Sequence, residues 1–232
     1  GPRDMVSRAE TTEILEIPNA GGNHASPFVT GNTEYIVSST RFSIPVPNQD
    51  VPISEYKKYF KGQISFITAD QPGKMDIAFQ LIMPGFNYDL ARAGKGKSHG
   101  WFFFSCYNSE QAHTLLEVNA SQKDKDLISA VNWKKCEEYV KAGKGRKSKV
   151  NYAHNVYDES THTGTSTIET EVTVLDPKEL KDILYFMPCP KSPHGCDTDP
   201  TGNYIVASGK LAAVIPVFSF DKMEKAIAEK KF

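Results

Sequence analysis

Cysteine is scarce in this chain. Its 232 residues hold four, Cys106, Cys136, Cys189 and Cys196, at spacings of 30, 53 and 7. No Cys-x-x-Cys pair occurs, which excludes a zinc ribbon, a Cys-and-His zinc finger and a thioredoxin motif. Excess charge of either sign is missing too, since 27 Lys and Arg against 28 Asp and Glu leave a net charge of −1. There is thus no overall field to draw a nucleic acid or an anionic membrane surface. No apolar run reaches the ~18 residues that a membrane-spanning helix needs. The opening GPRDMVSRAETTE lacks the apolar stretch of a signal peptide.

Phosphate-loop and calcium-hand patterns are absent as well. Gly96-Lys97-Ser98 has Ala91 where a phosphate-binding loop needs its first Gly, and Gly143-Lys144 is not followed by Ser or Thr. Both runs read as solvated basic loops. Lys141–Lys149 carries no aromatics for stacking on bases, so no nucleic-acid partner is expected.

What is present is β-forming sequence. The 13 Phe, 10 Tyr and many Val and Ile are enough for a buried core. Strands are expected at 35–39, 63–68, 76–83, 101–106, 127–132, 168–175, 204–208 and 213–220, bounded by Gly, Pro and Asn turns. Short helices are expected at 54–59, 134–142, 177–180 and 220–230, and 141–167 reads as a surface excursion. Strands at this density imply an all-β sandwich, barrel or propeller rather than alternating strand and helix units.

One pair of segments repeats. Thr30-Gly31-Asn32 leads into Tyr35-Ile36-Val37-Ser38-Ser39, and Thr201-Gly202-Asn203 leads into Tyr204-Ile205-Val206-Ala207-Ser208. His24 precedes the first turn by six residues and His194 precedes the second by seven. Spaced self-similarity marks repeat architectures, and this unit fits a β-propeller blade whose inner strand starts at a central channel. His24 and His194, 170 residues apart, would then face a common axis. Imidazoles so placed suit copper, zinc or iron, and local hydrogen bonding is the plainer alternative. At about 40–50 residues per blade the length allows four or five blades. Cys189 and Cys196 flank His194 without enough partners for a zinc site, and read as small buried hydrophobes. Oxygen donors around Tyr107-Asn108-Ser109-Glu110, with Asp124 and Asp126 downstream, would suit calcium or form an ordinary acidic turn.

The runs Met187–Cys196 (MPCPKSPHGC), Gly202–Leu211 (GNYIVASGKL), Ile17–His24 (IPNAGGNH), Cys106–Glu110 (CYNSE), Leu116–Trp133 and Val140–Gly143 resemble the nitrous-oxide reductase family. Glu117–Ser121 resembles its second, divergent branch. The resemblance implies a fold, a reaction and a set of partners. Family members join an N-terminal seven-bladed β-propeller, holding the four-copper sulfide cluster CuZ on seven His, to a cupredoxin domain holding the CuA centre. They are periplasmic head-to-tail homodimers. They reduce nitrous oxide to dinitrogen and water with two electrons and two protons, and a cytochrome c or a cupredoxin supplies the electrons.

By that resemblance His24 and His194 match two copper (CuZ) ligands. Tyr107, Glu110 and Asp126 match ligands of a calcium ion, with two residues inserted between Glu110 and Asp126. Ser192 stands where many members have Asn. The other five CuZ histidines and the Cys-x₃-Cys loop of CuA have no counterpart in this sequence. Residues 1–232 are accordingly expected to form part of the CuZ-binding propeller, four to five blades of seven without the cupredoxin domain, and to be inactive alone. The alternative is a non-catalytic propeller used as an interaction module.

Overall fold

A computed structural model describes residues 14–18, 21–23, 28–42, 44–45, 60–68, 75–85, 87–108, 126–155, 166–190, 192–209 and 211–231. Its strands are β1 (Ile14–Leu15), β2 (Gly21–Asn23), β3 (Phe28–Val29), β4 (Tyr35–Phe42), β5 (Ile44–Pro45), β6 (Phe60–Thr68), β7 (Asp76–Pro84), β8 (Asn87–Ala93), β9 (Trp101–Asn108), β10 (Leu127–Asn132), β11 (Arg146–Asn155), β12 (Ser166–Leu175), β13 (Leu184–Pro188), β14 (Pro193–Thr198), β15 (Tyr204–Gly209) and β16 (Val217–Ser219). Two α-helices, α1 (Trp133–Lys141) and α2 (Phe220–Ala228), and a 3-10 turn at Gly96–Ser98 complete the described elements. None of the described helices is long and apolar enough to cross a membrane.

The strands form three sheets. The first is built on the antiparallel run β4-β6-β7, with β2 and β3 against β4 and β5 against β6. The second is the antiparallel sheet β8-β9-β10-β13, and the third is β14-β15-β16. The fold is therefore all-β, with blade-like sheets in succession along the chain. The described residues supply three such sheets. Residues 146–155 and 166–175 extend the first of them. These residues form no sheet of their own: β11 and β12 pair from Arg146↔Val174 to His154↔Ser166, and β12 joins β7 in parallel at Val174 and Leu175. The expected excursion over 141–167 is thus corrected, because Arg146–Asn155 is a strand. Its described side chains up to Lys149 are mostly exposed and polar, so it lacks the apolar alternation by which half-buried strands are recognised.

Packing shows how the sheets stack. Successive β9 residues point to opposite faces. Phe102, Phe104 and Cys106 enter a core with Val37, Ile64, Phe66, Phe79 and Leu81 of the first sheet. Trp101 and Phe103 enter a second core with Cys196, Ile205, Ala207, Phe220 and Met223 of the third sheet and α2. An antiparallel sheet usually leaves one face to water. Here both are covered, which explains the unbroken aromatic run Trp101–Phe104. The helices at 134–142 and 220–230 form nearly as expected, each opened by a side-chain cap, Asn132 Oδ1 accepting from Lys135 N and Ser219 Oγ from Lys222 N. Asp221 sits in the first turn of α2, where its charge suits the helix N-terminus. The segment 177–180 is a turn rather than a helix. The helix expected at 54–59 lies outside the described residues.

The sequence repeat has a structural reason. The β8–β9 connection, Gly94–Gly100, lies between the two Thr-Gly-Asn turns. A Cβ on Gly31 would stand 3.1 Å from the Gly94 carbonyl, and one on Gly202 only 1.7 Å from the Lys95 carbonyl. Lys97 N donates to Thr201 O at 2.9 Å, and Gly202 holds φ +75°. Backbone therefore meets backbone where neighbouring sheets touch, and the Gly/Lys loop serves contact rather than phosphate binding. Gly202→Ala combines this clash with a left-handed backbone. It is expected to lower the unfolding free energy by about 2–4 kcal/mol, read from the midpoint of a urea transition.

Candidate functional site

Strand β8, the first of the second sheet, touches β3 of the first sheet and β14, the first strand of the third. His194 lies near the start of β14. The β14–β15 pairing slips between Pro193 and Cys196, because Pro193 has no N–H and Gly195 N donates to Ser208 Oγ at 3.1 Å. A bulge of this kind re-aims a side chain. On the facing strand the β8–β9 register slips on either side of Tyr88, between Asn87 and Ala91. The two irregular stretches bring His194 Nε2 to 3.7 Å from Asp89 Oδ2. That is ion-pair distance, longer than a hydrogen bond. The His194 side chain is 53% exposed and that of Asp89 5%. A half-open imidazole thus stands before a buried carboxylate. The carboxylate charge lies at the Nε2 edge of the ring, where it bears on the ring's orientation.

Asp126 anchors the approach to His194. Its main-chain oxygen accepts from Cys189 N at 3.0 Å, and its Oδ1 accepts from Ser192 N at 2.6 Å. Ser192 is buried with φ +55°, and its hydroxyl oxygen has no hydrogen-bond partner among the described residues. Tyr107 follows Cys106, which pairs with Leu127, so its backbone lies in β9 beside Asp126. The side chain of Tyr107, and all of His24 and Glu110, lie outside the described residues. The structure therefore sets Asp126 against Ser192, two residues before His194, and beside the backbone of Tyr107.

The thiols do not join this site. Cys106, Cys136 and Cys196 are buried, and no Cys is in a disulfide. Burial pushes the Cys196 thiol up to about 12 and the Cys189 thiol to about 11, with Asp197 and Asp126 respectively adding to it. Thiols held protonated are poor metal ligands. The expectation of small buried groups fits Cys106, Cys136 and Cys196, while Cys189 is half-buried. Among the described residues no three His, Cys, Asp or Glu side chains gather as a metal would need.

A second histidine has a different setting. His99 Nε2 lies 2.7 Å from Glu34 Oε1 and 3.2 Å from Asn32 Nδ2, and its ring meets Trp133 edge-on at 5.4 Å. The pair joins the β3–β4 turn to the β8–β9 loop. Burial alone would raise the Glu34 carboxyl, but hydrogen bonds from Thr30, its own amide, His99 and the Asn32 amide outweigh it and hold it at about 2 instead of 4.5. Because the folded value lies below the unfolded one, Glu34 stabilises fully above pH ~4.5 and loses that effect as the pH falls toward 2. Thermal melts of Glu34→Gln should therefore lie below the parent at neutral pH and converge with it in acid.

Asp89 was not visible as a site residue in the sequence. A charge between Tyr88 and Leu90 is a signal once 87–93 is known to be a strand. That strand is bulged and short of β-branched residues, so its pattern is weak.

No family model matches the chain. It is 26% identical over 215 residues to the nitrous-oxide reductase of Pseudomonas fluorescens, covering 91% of this chain and 30% of that protein. It is 27% identical over 221 residues to the nitrous-oxide reductase of Stutzerimonas stutzeri, covering 94% of this chain and 31% of that protein. The chain therefore spans less than a third of the length of these curated relatives. Among solved structures, Kuenenia stuttgartiensis hydrazine synthase matches with a TM-score of 0.51 at 12% identity, over 88% of this chain and 46% of that one, a likeness of fold. Over nine-tenths of its length, the chain is similar to a segment of nitrous-oxide reductase and diverges from it in most positions.

Proposed function

We propose that the chain is part of the catalytic propeller of a copper-dependent nitrous-oxide reductase. One observation carries this reading: in a chain similar to those enzymes, His194 is aimed from a bulged first strand, half-exposed, with the buried Asp89 carboxylate behind it. The reaction takes up two electrons and two protons, releasing dinitrogen and water. Copper in a sulfide cluster would bind the gas and pass the electrons to it. Those electrons would come from a cytochrome c or a cupredoxin through a CuA domain of the longer protein. Periplasmic location and a head-to-tail homodimer belong to the same proposal.

A copper centre needs imidazole or soft sulfur donors. The imidazole of His194 is the right donor, with an orienting carboxylate beside it. The described residues give that single imidazole position and no cluster of three donors. They fit one ligand of a shared centre and not a whole one, so no reaction step follows from these residues alone. His24 is the second proposed ligand. For calcium, the hard oxygen of Asp126 and the unpartnered hydroxyl of the buried Ser192 are of suitable chemistry, with Tyr107 and Glu110 proposed to join them.

Asp89→Asn keeps the shape and removes the charge. In the longer protein it is expected to weaken copper retention about 10–100-fold in competition with a chelator. The proposal as a whole is tested by anaerobic oxidation of a reduced viologen dye by the copper-loaded longer protein. Oxidation that depends on nitrous oxide supports it, and its absence at full copper loading rejects it. A second reading, a non-catalytic interaction module, draws on the exposed apolar residues Leu211, Val214, Ile215 and Val217. It predicts no such oxidation.

A further inference from the structure

A cavity of about 450 Å³ opens between the first and second sheets, away from His194. Its floor is apolar: Ile82 and Met83 from β7, Leu184 and Phe186 from β13. Alternation along β13 explains why it forms. Tyr185 and Met187 turn into the core shared with the third sheet, so Leu184 and Phe186 face the other way. Phe186 is left 40% exposed and offers its ring to the groove.

The rim is cationic. Lys61, Arg146 and Lys178 line it with a single carboxylate, Asp176. Asp176 is committed to its own turn, Oδ1 accepting from Lys178 N at 2.9 Å and its main-chain oxygen accepting from Glu179 N and Leu180 N. Neither the Arg146 nor the Lys178 side chain has an ion-pair partner among the described residues. Arg146 begins β11, so its main chain is held in the ladder while its guanidinium stays available.

The geometry points to a binding site for a small aromatic carboxylic acid, with the ring on Phe186 and Leu184 and the carboxylate on Arg146 and Lys178. A planar guanidinium matches a carboxylate with two parallel hydrogen bonds. Apolar walls with a few placed polar groups, at a volume of some hundreds of Å³, are what small-molecule sites consist of. This inference is independent of the copper chemistry.

The test uses phenylacetate as the probe and the 232-residue chain, with saturation-transfer NMR as the readout. Saturable binding of phenylacetate is expected, with uncharged phenylacetamide weaker by about tenfold or more, as loss of a charge-assisted contact requires. Arg146→Gln and Lys178→Gln should each weaken phenylacetate by a comparable factor. Both positions are exposed, so their circular dichroism should match the parent. Lys222→Gln, in the neighbouring groove along β13, β16 and α2 that shares Phe186 but not the cationic rim, should leave binding unchanged. No saturable binding, equal binding of the amide, or a loss with Lys222→Gln in place of Arg146→Gln would overturn the assignment.

Discussion

Phe103→Ala and Phe104→Ala are each expected to lower the unfolding free energy by about 3–5 kcal/mol, the range for emptying a buried Phe site. The two residues are adjacent in one strand and point to opposite faces. Both have 0% exposure. Phe104 packs with Phe102 at a ring separation of 5.1 Å and with Tyr88 at 6.3 Å, inside the core shared with the first sheet. Phe103 lies in the core shared with the third sheet, where its carbonyl also lies 3.4 Å from the Cys196 thiol. In a fold with one solvent-facing side, one of the two variants would change stability by less than ~0.5 kcal/mol. Equal large losses, read from urea transitions of the two variants, identify a sheet stacked between two others. A large loss for one and a negligible loss for the other would contradict the stacking.

His194→Ala is expected to reduce nitrous-oxide turnover by the longer protein by a factor of about 100 or more while its fold is retained. The side chain is half in solvent, so its removal leaves no internal cavity. A variant with parental circular dichroism and melting temperature, but without turnover, separates a ligand from a structural histidine. His194→Gln would retain bulk and polarity yet lose the imidazole, and should behave like Ala. A histidine that only made local hydrogen bonds would give near-parental turnover in both variants. Turnover then falls because an imidazole is lost, and Asp89→Asn should lie between parent and His194→Ala, since it perturbs the orientation of that imidazole without removing it.

The strands with apolar alternation were legible from sequence, and β10 falls on its expected limits at Leu127–Asn132. The Thr-Gly-Asn repeat was legible too, since backbone contact at Gly31 and Gly202 demands a residue without a side chain. Other elements were hidden for physical reasons. β11 is polar because its described side chains face water. β13, Leu184-Tyr185-Phe186-Met187-Pro188, is short and closed by Pro. β14 carries Pro193, His194 and Gly195, which are poor strand formers, and is held by pairing with β15 instead. The site shows the same division. His194 was marked by its repeat context, whereas Asp89 comes from a strand more than 100 residues away and is joined to it only by folding. Asp126 was named for its oxygen atoms. Its hold on the Ser192 amide depends on a left-handed backbone that sequence does not reveal.

As proposed above, this chain contributes a copper-ligating strand to an enzyme that reduces nitrous oxide. The most direct measurement is mass spectrometry of the gas formed when the longer, copper-loaded protein meets isotope-labelled nitrous oxide and an excess of reductant. Labelled dinitrogen should appear with the parent and vanish with His194→Ala. Unchanged labelled nitrous oxide with the fully copper-loaded parent, or undiminished dinitrogen from the His194 variant, would contradict the account.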